Sequence, residues 1–177
     1  MFRPNIGNLP TPSIPGDGFR IRGFGEGDEN TWARIECQAG EFESEMAAKE
    51  RFLNDFPASD LLRDNCLFVE NNTGEAVGTA MVMSGRLAGR EMGRLGWVAV
   101  IPEYQGRGLG KWIVALALQG IAKEHQEIFL TTQTTSVAAV GIYLRYGFVP
   151  HPYGPDDAQA WSLLSQALNH EIPAPGR

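Results

Sequence analysis

The chain has 177 residues and a mass of 19.4 kDa. Because single domains usually run to roughly 100–200 residues, we expect one domain with one hydrophobic core. Its residues are 43% hydrophobic and 20% charged, a balance that excludes disordered and fibrous proteins. Fifteen Lys and Arg residues against 21 Asp and Glu residues give a net charge of −6, which disfavours a general affinity for nucleic acid or anionic lipid.

The two cysteines, Cys37 and Cys66, stand in apolar stretches without a Cys-x-x-Cys or Cys/His cluster near them. This spacing excludes a disulfide scaffold and a zinc module, and it is typical of the reducing cytoplasm. No stretch approaches the roughly 18 apolar residues that a membrane-spanning helix needs, and the first residues offer no apolar targeting segment. We therefore expect a cytoplasmic protein with no metal, no nucleic acid partner and no membrane partner.

The distribution of proline predicts three segments. Residues 1–17 contain four prolines and are expected to form an extended arm without regular structure, because proline fixes φ and lacks a backbone donor. Residues 18–170 are the expected domain. Residues 171–177 are a short tail with two further prolines.

The first half of the domain is predicted to contain one strand and two helices. Apolar and basic residues alternate over residues 19–22, which is the period of a half-buried strand, and a glycine-rich turn follows. Asp28 is predicted to cap the first helix. Apolar residues three and four apart over residues 42–53 indicate a second helix, which ends near residue 57 because a proline stands there.

A β-hairpin is predicted next, with strands at residues 67–70 and 76–83 joined by the turn Asn71-Asn72-Thr73-Gly74. After the glycine-rich, basic residues 86–93, residues 95–101 are almost continuously apolar, as expected for a central strand. The remaining predicted elements are a helix over residues 109–125, a strand over 127–132, a helix over 137–145, a short strand at 148–149 and a helix over 158–169. This order predicts an α/β domain with a mixed sheet.

The most informative segment is residues 97–111, which give a strand, a short loop with three alternate glycines and a helix. Such glycines let successive backbone N–H groups face one concavity, and the positive end of the helix dipole adds to the attraction for phosphate. A nucleoside-triphosphate loop fails at Gln105 and Trp112, and the dinucleotide fingerprint fails at Lys111 and Ile113. A plain strand-to-helix turn is the alternative interpretation.

The run Gln105-Gly106-Arg107-Gly108-Leu109-Gly110 resembles the signature Gln/Arg-x-x-Gly-x-Gly/Ala of the GCN5-related N-acetyltransferase (GNAT) superfamily. Residues 136–148 resemble a second element of that family, in which Ala139, Tyr143 and the closing Gly-Phe match while Ser136 replaces the usual Asn. The resemblance implies an α/β fold with a mixed, mostly antiparallel central sheet, helices on both faces, and a cofactor loop between a central strand and the following helix.

The same resemblance implies acetyl-CoA as cosubstrate, with the loop amides holding its pyrophosphate and the preceding strand meeting its pantetheine arm. Residues 86–111 carry a net charge of +3, which would help to neutralise the phosphates; a solvated basic loop is the alternative. The implied cofactor-binding residues are Val98, Val100, Gln105, Gly106, Arg107, Gly108, Leu109, Gly110, Lys111, Ser136, Ala139 and Tyr143.

The chemistry that the resemblance implies is direct attack of a neutral amine on the thioester. Tyr143 would act as general acid toward the departing thiolate, since a phenol stays protonated at neutral pH; a purely packing role is the alternative. The resemblance does not fix the general base, and the candidates are Glu70, Glu91 and Glu103. As surface glutamates they would otherwise be solvated.

The acceptor is expected to be a small-molecule or peptide amine. Residues 26–64 carry a net charge of −7, and in the GNAT family the first helices border the acceptor pocket, so a cationic amine would be attracted; a solvated helical face is the alternative. A second hypothesis is a CoA-binding regulatory or interaction module of the same fold without turnover, suggested by Ser136 and by the lack of an evident base. A homodimer is left open.

Overall fold

The structure is a computed structural model, and it describes residues 1–172 apart from residues 8, 10, 12, 17, 57–61 and 152–156. Its elements in chain order are β1 (Phe2–Arg3), β2 (Arg20–Gly23), α1 (Asp28–Gln38), α2 (Glu45–Asp55), α3 (Leu62–Asn65), β3 (Cys66–Glu70), β4 (Ala76–Leu87), β5 (Arg90–Val100), a 3-10 turn (Pro102–Tyr104), α4 (Leu109–Ile121), β6 (Ile128–Phe129), α5 (Val137–Arg145) and α6 (Asp157–Leu168).

The strands form one six-stranded sheet in the order β1-β6-β5-β4-β3-β2. Four of the five pairings are antiparallel, and β5 with β6 is the parallel pair, joined by the crossover through α4. Helices lie on both sides of the sheet, with α1 and α4 both packed on β4 and β5. The predicted mixed, mostly antiparallel sheet is confirmed.

The helix α4 is buried on almost all sides and carries the glycine loop at its start. Three of its apolar residues, Leu109, Ile113 and Leu118, are each at most 1% exposed. A helix that is apolar all round needs cover on every side, and the sheet, α5 and the N-terminal arm supply it. None of the described helices combines the length and the apolar character needed to cross a membrane.

The prolines predicted an N-terminal arm without regular structure, but the arm contains the strand β1. β1 pairs with β6, and Ile6 donates its N–H to the Gln126 carbonyl at 3.0 Å with a side chain only 3% exposed. Both residues of β1 precede the first proline, so their N–H groups remain free to pair. Ile6 and Leu9 lie beside the C-terminal end of α4, and Pro15 lies close to Gly108 at the N-terminal end of that helix.

Several predicted boundaries are corrected by pairing and turn geometry. Residues 86–93, which lay outside the predicted strands, form the outer part of a β4–β5 hairpin, whose turn residues Ala88 and Gly89 have φ of 49° and 78°. Positive φ at both positions is what a two-residue hairpin turn requires. Asp28 is the first residue of α1 rather than its cap, because Gly27, at φ 85°, holds the cap position.

The second half of the chain follows the predicted order with shorter elements. α4 ends at residue 121 instead of 125, and β6 covers only residues 128–129 of the predicted strand at 127–132. The strand expected at residues 148–149 is a single bridge between Val149 and Phe2. The final helix is confirmed at residues 157–168. The tail residues 173–177 lie outside the described part of the chain.

Candidate functional site

The candidate site lies where β5 and β6 separate. The two strands pair at Gly93–Arg94 and Ile128–Phe129 and then diverge, because β6 ends there while β5 continues to Val100. A cleft of about 300 Å³ lies at this divergence. It is lined by Glu36, Glu41, Arg94, Leu95, Gly96, Trp97, Val98, Thr131, Thr132, Gln133, Ser136, Ala139 and Tyr143.

A β-bulge shapes the wall that β5 contributes. Thr79 pairs with Ala99 and Met81 with Gly96, so Trp97 and Val98 together oppose the single residue between them on β4. Trp97 has φ of 51°, a left-handed conformation that is strained for an aromatic residue. A bulge takes one residue out of the ladder and bends the strand. The backbone around Val98 is therefore turned out of regular pairing at the cleft.

The glycine loop combines two left-handed glycines with the N-terminus of α4. Gly106 and Gly108 have φ of 74° and 85°, and Gly108 occupies the cap position of α4. A Cβ on Gly110 would lie 3.4 Å from the Ile142 side chain, so this glycine permits close packing of α4 against α5. The first N–H groups of a helix have no partner inside it, and the dipole adds positive potential there.

The polar side chains of the loop brace the loop itself. Gln105 donates from Nε2 to the Val100 carbonyl at 2.8 Å. Arg107 donates to the Glu103 carbonyl at 3.1 Å, and its guanidinium carbon lies 4.9 Å from the centre of the Tyr104 ring. Among the residues expected to contact the cofactor, Gln105 and Arg107 therefore fix the loop conformation, whereas Lys111 is exposed at the start of α4.

Tyr143 extends from α5 into the cleft and is 7% exposed. Its ring packs edge-on against Phe148 at 6.0 Å. Burial, together with the charges of Glu36 and Glu41, raises the pKa of the Tyr143 phenol to about 12. The hydroxyl thus keeps its proton throughout the neutral range. Ser136 lines the same cleft before the start of α5, and its hydroxyl makes no capping bond to the helix.

Glu36 is one of the cleft residues that the sequence did not single out. It lies in α1, is 1% exposed, and its Oε1 atom has no hydrogen-bond partner in the described part of the chain. Burial, and then the charge of Glu41, raises the pKa of Glu36 to about 8. The available signal was its place one helical turn after Trp32, where an acid interrupts the apolar face of α1.

The structure does not bring the three predicted base candidates into the cleft. Glu70 is 5% exposed, and its two oxygens accept hydrogen bonds from Arg22 and Arg20, each at 2.6 Å. Glu91 is exposed near the hairpin turn, seven residues along β5 from Val98, a separation of about 20 Å at the rise of an extended strand. Glu103 is exposed in the 3-10 turn beyond β5.

The basic segment (residues 86–111) and the acidic segment (residues 26–64) do not each place all their charges at the site. The basic segment does not converge on the glycine loop, because Arg86 and Arg90 lie near the hairpin turn and Arg90 is paired with Glu127. In the acidic segment, Asp28, Glu29 and Asp55 form ion pairs with Arg22, Lys49 and Arg51. Among the described acids of this segment, Glu36 and Glu41 line the cleft.

The described residues contain no group of three or more His, Cys, Asp or Glu side chains that could hold a metal ion. Both cysteines are free. Burial above all raises the pKa of the Cys66 thiol to about 12, so it does not supply a nucleophile at neutral pH.

The sequence matches the family model described as the acetyltransferase (GNAT) family over residues 30–148. This stretch begins in α1 and includes the bulge, the glycine loop and α5. Among curated proteins, a mycothiol acetyltransferase of Streptomyces griseus is 29% identical over 147 residues, which are 81% of this chain and 47% of that protein. The chain spans about half the length of the curated relatives it matches.

Two solved structures illustrate the likeness in fold. A GCN5-related N-acetyltransferase from Sphaerobacter thermophilus has a TM-score of 0.63 and 23% identity, over 82% of this chain and 46% of that one. An aminoglycoside N-acetyltransferase in complex with CoA has a TM-score of 0.60 and 18% identity, over 80% of this chain and 95% of that one. At 23% and 18% identity, what the structural likeness shows is the shared fold.

Proposed function

Because the chain belongs to the GNAT family of acetyltransferases, we propose that it transfers the acetyl group of acetyl-CoA to a primary amine, which attacks the thioester directly. One observation carries this proposal above the others. The cleft at the divergence of β5 and β6 contains both a protonated phenol, Tyr143, and an unpaired, buried carboxyl, Glu36. Such a pair can donate and accept protons around an acyl transfer.

Acetyl-CoA would supply an acetyl group already activated as a thioester. The N–H groups of residues 106–110, at the positive end of α4, would hold its pyrophosphate. The bulged backbone at Val98 would face the pantetheine arm, and an N–H group there would stabilise the charge that develops on the thioester oxygen. Ser136 and Ala139 line the opposite wall, where they would border the same arm.

Tyr143 would donate its proton to the departing thiolate. Its high pKa keeps the phenol protonated until that charge develops. Burial excludes competing water, which strengthens a hydrogen bond from the phenol. The packing of its ring on Phe148 fixes the direction of the hydroxyl.

The acceptor would be a cationic amine, since the exposed acid Glu41 lies on its approach. Glu41 is exposed at the rim and Glu36 is buried deeper in the cleft. A second cavity of about 610 Å³ adjoins the cleft, because Arg94 and residues 131–133 line both. Its walls include the apolar side chains of Phe129, Leu130 and Trp161, which would receive the body of the acceptor.

The proposal is tested with the purified full chain, acetyl-CoA and three probe amines: a tripeptide with a free N-terminus, spermidine and glucosamine. We expect thiol release with at least one amine, and a rise in its KM as salt increases. Calorimetric binding of CoA without thiol release from any probe would favour a CoA-binding module without turnover. Failure to bind either CoA or acetyl-CoA would overturn both functions.

A further inference from the structure

We propose that Glu36 is the catalytic base that takes the proton from the acceptor ammonium, an inference that rests on the proposed acetyl transfer. Its carboxyl lies in the cleft that also contains Tyr143 and the bulged residues Trp97 and Val98. The acceptor nitrogen must reach this cleft to meet the thioester. The carboxyl therefore stands beside the place where the proton has to be removed.

Glu36 has no structural task that its burial would explain. Three buried side-chain atoms lack a hydrogen-bond partner in the described part of the chain: Glu36 Oε1, Trp32 Nε1 and Arg94 Nε. Glu36 and Arg94 line the cleft, and the Trp32 ring packs 5.2 Å from that of Trp97, which lines it too. Unpaired buried polar atoms are costly and rare in folded proteins. Glu36 Oε1, an acceptor, and Arg94 Nε, a donor, belong to side chains that line one cleft, which indicates that a polar ligand satisfies them.

The proton affinity of Glu36 suits an amine. A free carboxylate holds a proton much more weakly than an alkylamine with a pKa of about 10, so transfer between them is strongly uphill. In the cleft, burial and then the charge of Glu41 raise the pKa of Glu36 to about 8. The remaining gap to the amine is small enough for a general base to act near neutral pH.

The proton balance is complete with groups on the chain. One N–H bond of the ammonium breaks as an O–H bond forms on Glu36, and the freed lone pair forms the C–N bond while the C–S bond breaks. Tyr143 gives its proton to the leaving thiolate and recovers one from the new amide nitrogen. Glu36 then releases its proton to solvent, which is the one proton that the overall reaction liberates.

Other titratable groups face Glu36 and must be separated from it in a pH experiment. Glu41 follows α1, Arg94 belongs to β5 and Tyr143 to α5, and all three line the cleft. The thiol of Cys66, in β3, also lies near Glu36. Its pKa is raised first by burial and then by the charges of Asp28 and Glu36. The pKa of that thiol and that of Tyr143 are both about 12, well above the range in which Glu36 titrates.

The test compares Glu36→Gln, Glu41→Gln and Glu50→Gln, using the fastest of the three probe amines. Glu36→Gln is expected to lower kcat at least about 100-fold and to leave the Kd of acetyl-CoA unchanged. As the pH is lowered through about 8, Glu36 takes up a proton, and the kcat/KM of the wild type should decrease. Glu36→Gln should lack this acidic limb of the pH profile. Glu50→Gln removes an exposed acid of α2 outside the cleft and should match the wild type.

Glu41→Gln supplies a readout that does not require Glu36 to be changed. Removing its charge lowers the pKa of Glu36, so the acidic limb should move to lower pH. The same movement should appear in the carbon NMR signal of the Glu36 carboxyl in the protein without ligands. Full turnover in Glu36→Gln, or a limb that stays in place in Glu41→Gln, overturns the assignment while acetyl transfer stands. A wild type that acetylates no probe overturns the proposed function instead.

Discussion

Tyr143 and Glu36 enter one cleft from two helices, and each holds its proton more strongly there than in water. Burial, then the charges of Glu36 and Glu41, raises the pKa of the phenol to about 12. Burial, then Glu41, raises the pKa of the Glu36 carboxyl to about 8. Two groups with well separated pKa values in one site can take different roles, one as proton donor and the other as proton acceptor.

The first prediction concerns the proton donor. Tyr143→Phe removes the hydroxyl and keeps the ring on Phe148, so we expect kcat to fall about 100-fold with little change in the Kd of acetyl-CoA. Tyr146→Phe is the matched control, because the Tyr146 hydroxyl donates to the Lys111 carbonyl at 2.9 Å and does not line the cleft. It should lose about 1 kcal/mol of stability and keep its turnover. Equal turnover in the wild type and Tyr143→Phe would remove the phenol from the mechanism.

The second prediction concerns the glycine loop. Gly108→Ala places a methyl group on a left-handed residue at the start of α4, which costs about 1–2 kcal/mol and disturbs the proposed phosphate donors. Gly89→Ala has a comparable φ of 78° in the distant hairpin turn. Both variants should therefore lose similar stability in thermal unfolding, and only Gly108→Ala should weaken CoA binding in calorimetry, by at least about tenfold. Equal CoA affinities of Gly108→Ala and Gly89→Ala would show that the glycine loop does not bind the cofactor.

Local requirements were predictable from the sequence, and this explains why the strand, glycine loop and helix were predicted at the right place. Positive φ at two alternate positions favours glycine whatever surrounds the loop. The β3–β4 hairpin was predictable for the same reason, because Gly74 has φ of 83° in its turn. By contrast, the β4–β5 turn uses Ala88 at φ 49°, a residue type that gives no such signal.

Features that depend on distant partners could not be predicted in this way. β1 exists because β6, at the other end of the chain, offers an edge to pair with. Glu36 is one of eleven acids in an acidic segment, and its lack of a partner follows from how α1 packs at the cleft. Glu70 appeared available as a base until the fold placed Arg20 and Arg22 against its two oxygens.

The third prediction follows from that ion-pair cluster. Burial alone would raise the pKa of Glu70, but the hydrogen bonds from Arg22 and Arg20 outweigh it, and the pKa lies below its ordinary value of 4.5. The unfolded chain therefore binds this proton at a higher pH than the folded protein. The stabilisation is present above a pH of about 4.5 and is lost as the pH falls through the lower value of the folded state.

Glu70→Gln should therefore lower the free energy of unfolding at neutral pH by about 1–3 kcal/mol, measured in urea, and the difference from the wild type should shrink in acid. Glu75→Gln is the control, since Glu75 pairs with Arg34 at 3.5 Å and its side chain is 50% exposed. Its effect should stay below about 1 kcal/mol. If the difference in unfolding free energy between Glu70→Gln and the wild type does not change with pH, the ion pairs of Glu70 are not the source of the stabilisation.

The fourth prediction tests whether the arm is part of the folded domain. Ile6 is 3% exposed beside the end of α4, whereas Ile14, in the same arm, is 69% exposed. Ile6→Ala deletes the same atoms as Ile14→Ala, but from a packed site, so it should cost about 2–5 kcal/mol in urea unfolding. Ile14→Ala should change stability by less than about 0.5 kcal/mol. Equal and small effects of the two substitutions would mean that the arm does not pack on α4 in solution, and the cover over that helix would have to come from elsewhere.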